Sequence, residues 1–156
     1  ITLIGHGYIG EHIAKELDNQ KVPYHWIRHT ESISHDTTFI INATGYTGVP
    51  NVDACENEKQ QTINGNVVFP LMLEHSNPNI PILHMSSGCV YTGYDKEFTE
   101  LDEPNFDFNN GSFYSGSKAL EQKLLTPFMN KSYLFRIRMP FGNDKHPKNL
   151  FTKLEK

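Results

Sequence analysis

A chain of 156 residues with 37% hydrophobic and 21% charged side chains and a net charge of −4 has enough apolar material for one sizeable core and too little length for a second full domain. It carries no basic stripe of the kind that holds phosphate backbones, which argues against nucleic acid as a partner, and no apolar run nears the ~18 residues of a membrane span. Cys55 and Cys89 lie far apart without a C-x-x-C pattern and the eight histidines show no metal-ligand spacing, so neither a disulfide framework nor a metal site is indicated and a reducing, cytoplasmic setting fits.

Ile1-Thr2-Leu3-Ile4 reads as a buried strand running straight into Gly5-His6-Gly7-Tyr8-Ile9-Gly10, after which Ile13, Ala14 and Leu17 repeat at helical spacing. Strand, G-x-G-x-x-G and helix in that order suit a dinucleotide. The glycines allow a tight bend and close approach of the backbone to a pyrophosphate, and the helix N-terminus offers free N–H groups and a positive dipole end. A glycine-rich turn that binds nothing has the same pattern. The second strand, Tyr24 to Ile27, ends at Arg28, where Asp or Glu would accept hydrogen bonds from ribose hydroxyls. A guanidinium attracts a 2′-phosphate instead, which favours NADP(H) over NAD(H). Fewer than ten residues separate Arg28 from a third strand at Thr38 to Ile41, which predicts a loop or a single turn in place of a crossover helix.

The third strand runs into Asn42-Ala43-Thr44-Gly45, small residues that suit either close approach to cofactor phosphates or plain packing. Helices are expected at about 52–58 and 60–75, the second with Ile63, Val67, Leu71 and Met72 on its core face. Asn77-Pro78-Asn79 stops it. A fourth strand over 81–85 then delivers Ser86 and Ser87 to its carboxyl end, the edge where open α/β sheets bind ligands. Residues 88–111 read as a polar loop facing a substrate. A helix over 113–129 with Leu120, Leu124 and Leu125 inward and a fifth strand over Tyr133 to Ile137 complete the alternation. The pattern predicts an α/β fold: a doubly wound parallel (Rossmann) sheet of order 3-2-1-4-5 with helices on both faces.

On the 113–129 helix Tyr114 and Lys118 stand four residues apart and share a face. A tyrosine, with its ordinary pKa near ~10, is a poor acid or base at neutral pH unless a positive charge favours its phenolate, and Lys118 is placed to be that charge. The same spacing also occurs on ordinary solvated helix faces.

Taken together, Gly5, Gly7 and Gly10, the Asn42-Ala43-Thr44-Gly45 stretch, Asn66, Ser86-Ser87-x-x-x-Tyr91, Tyr114-x-x-x-Lys118 and Arg138-x-Pro140 resemble the extended short-chain dehydrogenase/reductase family of nucleotide-sugar enzymes. Within it the chain is most similar to the rhamnose-forming 3,5-epimerase/4-reductases acting on dTDP- or UDP-linked 4-keto-6-deoxy sugars, through residues 42–53, 111–115 and 136–140 and then 149–153. The resemblance implies catalytic roles for Ser87, four residues before the aromatic Tyr91, for Tyr114 as proton donor, and for Lys118 holding the nicotinamide ribose and lowering the tyrosine pKa. It pairs Cys89 with Lys153 for epimerisation. Cofactor contacts are implied at Gly5, His6, Gly7, Tyr8, Ile9, Gly10, Arg28, Ala43, Thr44, Gly45, Asn66, Lys118 and Pro140. The partners it implies are a nucleotide-sugar substrate and a second copy packed through helices 60–75 and 113–129.

The chain ends at Lys156, about where the family's substrate-binding portion begins, so residues 1–156 are expected to form a dinucleotide-binding domain with the substrate lobe largely absent. Two other readings remain open. One is an NAD-retaining 4-epimerase or 4,6-dehydratase, the latter disfavoured because Gly88-Cys89 follow Ser87 where dehydratases usually carry acidic residues. The other is a non-catalytic dinucleotide-binding fragment.

Overall fold

The computed structural model describes residues 1–94 and 96–155. Its five strands, β1 (Thr2–Ile4), β2 (His25–Ile27), β3 (Ile40–Asn42), β4 (Ile82–Ser87) and β5 (Tyr133–Ile137), form one parallel sheet in the order β2-β1-β3-β4-β5. The helices are α1 (Tyr8–Asn19), α2 (Lys59–Ile63), α3 (Phe69–Ser76), α4 (Phe113–Leu125) and α5 (Leu150–Leu154). The doubly wound parallel sheet is the expected one. Its order is not 3-2-1-4-5, because the third strand lies between β1 and β4 and not beyond β2. Ile40, Ile41 and Asn42 are all buried, whereas His25 and Trp26 are exposed. A strand that is apolar on both faces gains most in the middle of a sheet, and a strand with polar outward residues tolerates the edge. No helix forms between β2 and β3, so no layer is available there to cover a strand placed further out.

The helix expected at 60–75 is not a single α-helix. A π turn, Asn64–Val68, joins α2 to α3. Pro70 has no N–H to give the Asn66 carbonyl and its ring would collide with that carbonyl in a regular α turn; the wider turn relieves both problems. The extra residue rotates the following face by about 100°. Leu73 and Glu74 are therefore buried, and Met72, expected in the core, is 60% exposed. In α4 the expected inward leucines are only partly so: Leu125 is buried, but Leu124 is exposed, and Ser117, Lys118, Glu121 and Gln122 fill the other inward positions.

The two faces of the sheet differ. Leu3, Ile41, Leu83 and Met85 meet Ala14 of α1, while Ile4, Ile40 and Ile82 meet Leu73 of α3. On the second face the strands turn polar toward their carboxyl ends, with Asn42 two residues after Ile40, and His84 and Ser86 after Ile82, all buried. Residues 88–94 and 96–111 fold back on the domain. The Asn105 and Phe106 N–H groups donate to the Val90 carbonyl at 3.2 and 3.1 Å, and the Tyr91 hydroxyl donates to the Asp102 carbonyl at 2.7 Å. Gly116 lets Phe108 lie against α4, since a Cβ there would come within 2.7 Å of its ring. Among the described residues no helix is long and apolar enough to cross a membrane.

Candidate active site

A groove of about 720 Å³ opens at the carboxyl ends of β1 and β3, within the usual size of a ligand site. Gly5, His6 and Gly7 line one side and Ala43, Thr44, Gly45 and Tyr46 the next; the α2–π–α3 run adds Gln61, Asn64, Gly65, Val68, Phe69 and Met72. The glycine turn fits a pyrophosphate. Gly5 has φ +111°, and a Cβ on Gly10 would stand 2.1 Å from the Gly5 carbonyl oxygen, so these two glycines make the bend and the helix contact. A Cβ on Gly7 would meet nothing within 4 Å, which leaves open space at the start of the twelve-residue α1.

Other expected cofactor residues stand elsewhere. Tyr8 is buried behind the turn, where its hydroxyl donates to Asp144 Oδ1 at 3.3 Å, and Ile9 and Gly10 are likewise absent from the lining. Arg28 is exposed outside the groove and its N–H donates to Glu31 Oε2 at 2.6 Å; His29 is the lining residue from this loop. No Asp, Glu, Lys or Arg lines the groove among the described residues. Trp26 braces the turn by donating to the Gly5 carbonyl at 3.0 Å and stacking on His6 with ring centroids 4.4 Å apart. Asn66 is fully buried and its amide is spent within the protein. Its Oδ1 accepts from the Tyr46 N–H at 2.7 Å, and its Nδ2 donates to the Tyr46 carbonyl at 3.0 Å and to Ser117 Oγ at 3.1 Å. It ties the groove wall to α4. Pro140 lies away from the groove, its carbonyl accepting from the Leu150 N–H at 3.1 Å.

The side chains expected to react come mainly from β4 and α4. Ser112 caps α4, accepting from the Ser115 N–H at 3.1 Å, and so starts the helix at Phe113, one residue before Tyr114. Burial pushes the Tyr114 phenol up to about 12, although the nearby Ser87 hydroxyl at the end of β4 pulls the other way; Cys89, Glu121 and Cys55 add to the rise. The sequence expectation of a lowered tyrosine pKa is thus reversed. Burial is the largest cause, and Lys118 does not offset it: the lysine is buried, its ammonium lies 2.5 Å from Glu121 Oε2, and it donates to the Met85 carbonyl at 3.3 Å. A cation neutralised by its own carboxylate has little field left for a neighbour. Glu121 went unremarked in the sequence, where the i, i+3 spacing from Lys118 was its only signal. It also accepts from Ser86 Oγ at 3.2 Å, and Ser86 accepts from Gln122, whose amide oxygen accepts from Arg136.

Cys89 is half-buried next to Ser87, whose Oγ accepts its N–H at 3.1 Å. Gly88 leaves room for the Arg138 side chain, with a Cβ position only 3.1 Å from Arg138 Cβ. Lys153 is on the exposed face of α5, apart from this cluster, with its N–H bonded to the Asn149 carbonyl at 3.2 Å.

No family model matches the chain. It is 34% identical over 172 residues to a trifunctional UDP-glucose 4,6-dehydratase/UDP-4-keto-6-deoxy-D-glucose 3,5-epimerase/UDP-4-keto-L-rhamnose-reductase of Arabidopsis thaliana, covering 96% of this chain and 25% of that protein. It is 34% identical over 168 residues to the Arabidopsis bifunctional dTDP-4-dehydrorhamnose 3,5-epimerase/dTDP-4-dehydrorhamnose reductase, covering 95% of this chain and 54% of the relative. Among solved structures it superposes on the UDP-rhamnose synthase of Acanthamoeba polyphaga mimivirus with a TM-score of 0.82 and 26% identity, over 98% of this chain and 61% of that one. A dTDP-4-dehydrorhamnose reductase of Clostridium acetobutylicum shares the fold, with a TM-score of 0.76, 22% identity, and 99% and 57% coverage. The chain thus spans between a quarter and about half of the curated relatives named here.

Proposed function

We infer function from the premise that the chain belongs to the extended short-chain dehydrogenase/reductase family, among the nucleotide-sugar enzymes of rhamnose synthesis. On that premise we propose NADP(H)-dependent reduction of a nucleotide-linked 4-keto-6-deoxy sugar, with 3,5-epimerisation at the same site. The observation that carries the reading is that Lys118 holds α4 against the end of β4, bringing Tyr114 near Ser87, on a helix that Asn66 ties to the groove wall.

The nicotinamide dinucleotide, when bound, supplies the hydride for C4. Gly5, Gly7 and Gly10 would hold its pyrophosphate. A groove without a carboxylate, with His29 on its wall and Arg28 beside it, favours a 2′-phosphate over bare ribose hydroxyls. Tyr114, raised to about 12, keeps its proton at neutral pH and can give it to the C4 alkoxide, while Ser87 hydrogen-bonds the same oxygen. Lys118 anchors α4 to β4 through Glu121 and the Met85 carbonyl, which leaves one of its three ammonium N–H donors for a ribose hydroxyl. Epimerisation needs a base on one side of the ring and an acid on the other; Cys89 and Lys153 are the proposed pair.

NADPH oxidation is measured with a 4-keto-6-deoxy nucleotide sugar, for this chain and for a longer form of the protein. Tyr114→Phe is expected to lower turnover by about 10²–10⁴-fold with cofactor affinity nearly unchanged. Normal turnover by the Phe variant would remove Tyr114 from the role, and purified protein that retains NAD through dialysis would favour the NAD-recycling reading.

A further inference from the structure

A second chain of buried hydrogen bonds runs across the polar face of the sheet, and the chemistry above does not use it. The Thr44 N–H and hydroxyl both donate to Asn42 Oδ1, at 3.1 and 2.6 Å. A backbone N–H can only donate, so that corner of the amide is oxygen and the other corner, 3.1 Å from His84 Nδ1, is the NH₂. Nδ1 therefore accepts. His84 carries its proton on Nε2, which donates to Glu74 Oε1 at 3.0 Å, and the other Glu74 oxygen is ion-paired with Lys131. Asn42, Glu74 and His84 are all buried, so water offers no substitute partners.

We propose that His84, acting through Asn42, is a positioning residue for the groove: its neutral Nε2–H form orients the Asn42 amide that holds Thr44 in the groove wall, and protonation of His84 releases the Thr44 N–H. The effect on a dinucleotide rests on the functional reading above. A proton on Nδ1 would face the Asn42 NH₂, donor against donor. The amide relieves this by turning, which sets its NH₂ against the Thr44 N–H and breaks that bond, while the Thr44 hydroxyl must rotate from donor to acceptor to keep its own. Glu74 of α3, Lys118 of α4 and Lys131 beyond α4 are the charged groups that act on His84. Burial holds the imidazole below its ordinary range; Glu74 pulls it up, and the two lysines push it down. The two histidines that line the groove, His6 and His29, are shared by wild type and variants and so cancel in the comparison.

The test is NADPH affinity of the whole chain by calorimetry from about pH 8 to about pH 5.5, for wild type, His84→Asn and His84→Leu. Asparagine presents an oxygen where Nδ1 stands and does not titrate in this range. His84→Leu is expected to weaken binding about tenfold at every pH, and His84→Asn to recover most of that. Relative to His84→Asn, the wild type is expected to lose about tenfold on acidification. Identical pH dependence in wild type and His84→Asn overturns the proposal. Long-range ¹H–¹⁵N correlation on the cofactor-free wild type reads the same device without any variant. It should report an Nε2–H tautomer at the alkaline end and a Thr44 amide shift as His84 titrates. An Nδ1–H tautomer, or a Thr44 amide indifferent to that titration, also overturns it. If wild type binds neither NADPH nor NADH at any pH, the functional reading fails, and the NMR result still decides the positioning role.

Discussion

Toward α1 the sheet offers Leu3, Ile41, Leu83 and Met85; toward α3 and α4 it begins in the same way, with Ile4, Ile40 and Ile82, and then changes to Asn42, His84 and Ser86. The apolar face has only to exclude water. The other must satisfy each buried donor, acceptor and charge, and among the described residues no buried side-chain nitrogen or oxygen lacks a partner. Charge is carried there by two ion pairs, Lys118 with Glu121 and Lys131 with Glu74. The contrast separates two jobs within one small domain. One face mainly stabilises, while the other spends part of its burial on holding Thr44 of the groove and Lys118 beside Tyr114. The polar face is consequently the more fragile, because losing one member strands its partner.

The sharpest way to break that comparison is Glu121→Ala, which strands the Lys118 ammonium in a dry site and is expected to cost about 3–5 kcal/mol. Leu3→Ala on the apolar face should cost about 3 kcal/mol through lost transfer energy and a cavity. Urea unfolding of both variants measures the difference, and a larger loss for Leu3→Ala would erase the proposed asymmetry. The smallest effect is in the pH dependence of stability. The folded His84 pKa is lowered, so as pH falls below the ordinary imidazole value the unfolded chain takes up a proton that the folded chain refuses, and stability drops until folded His84 is protonated too. Burial pushes Glu74 up, but Lys131, the Ser132 hydroxyl and His84 outweigh it, so its contribution is lost at lower pH, through its folded value. Burial raises Glu121 despite Lys118, which gives the reverse sign: its contribution is present below the ordinary carboxylate value and is lost as pH rises. Urea midpoints against pH should therefore fall less steeply for His84→Asn than for wild type in the imidazole range, whereas Leu3→Ala should lower the curve without reshaping it.

The strand, glycine turn and helix at the amino end were legible because a few adjacent residues decide them: Gly10 must be glycine for its contact with the Gly5 carbonyl, only five residues away. Ser87 at a strand end and Tyr114 with Lys118 on one helical face were legible for the same reason, since periodicity alone places them. Much of the groove wall was not. Pro70 is visible in the chain, yet the π turn it accompanies moved Met72 out to the groove and Leu73 into the core.

By itself, then, the sequence determined which segments become strands and most of those that become helices, and which side chains are candidates for the chemistry, because those follow from local geometry and spacing. Only the tertiary structure decided where β3 sits, that His29 and not Arg28 lines the groove, and that Glu121 takes the charge of Lys118. It alone brought Asn42, Glu74 and His84 into one chain of hydrogen bonds. Partners that are distant in sequence are selected by burial, which forces every polar group inside the protein to find whatever donor or acceptor the packing brings within reach.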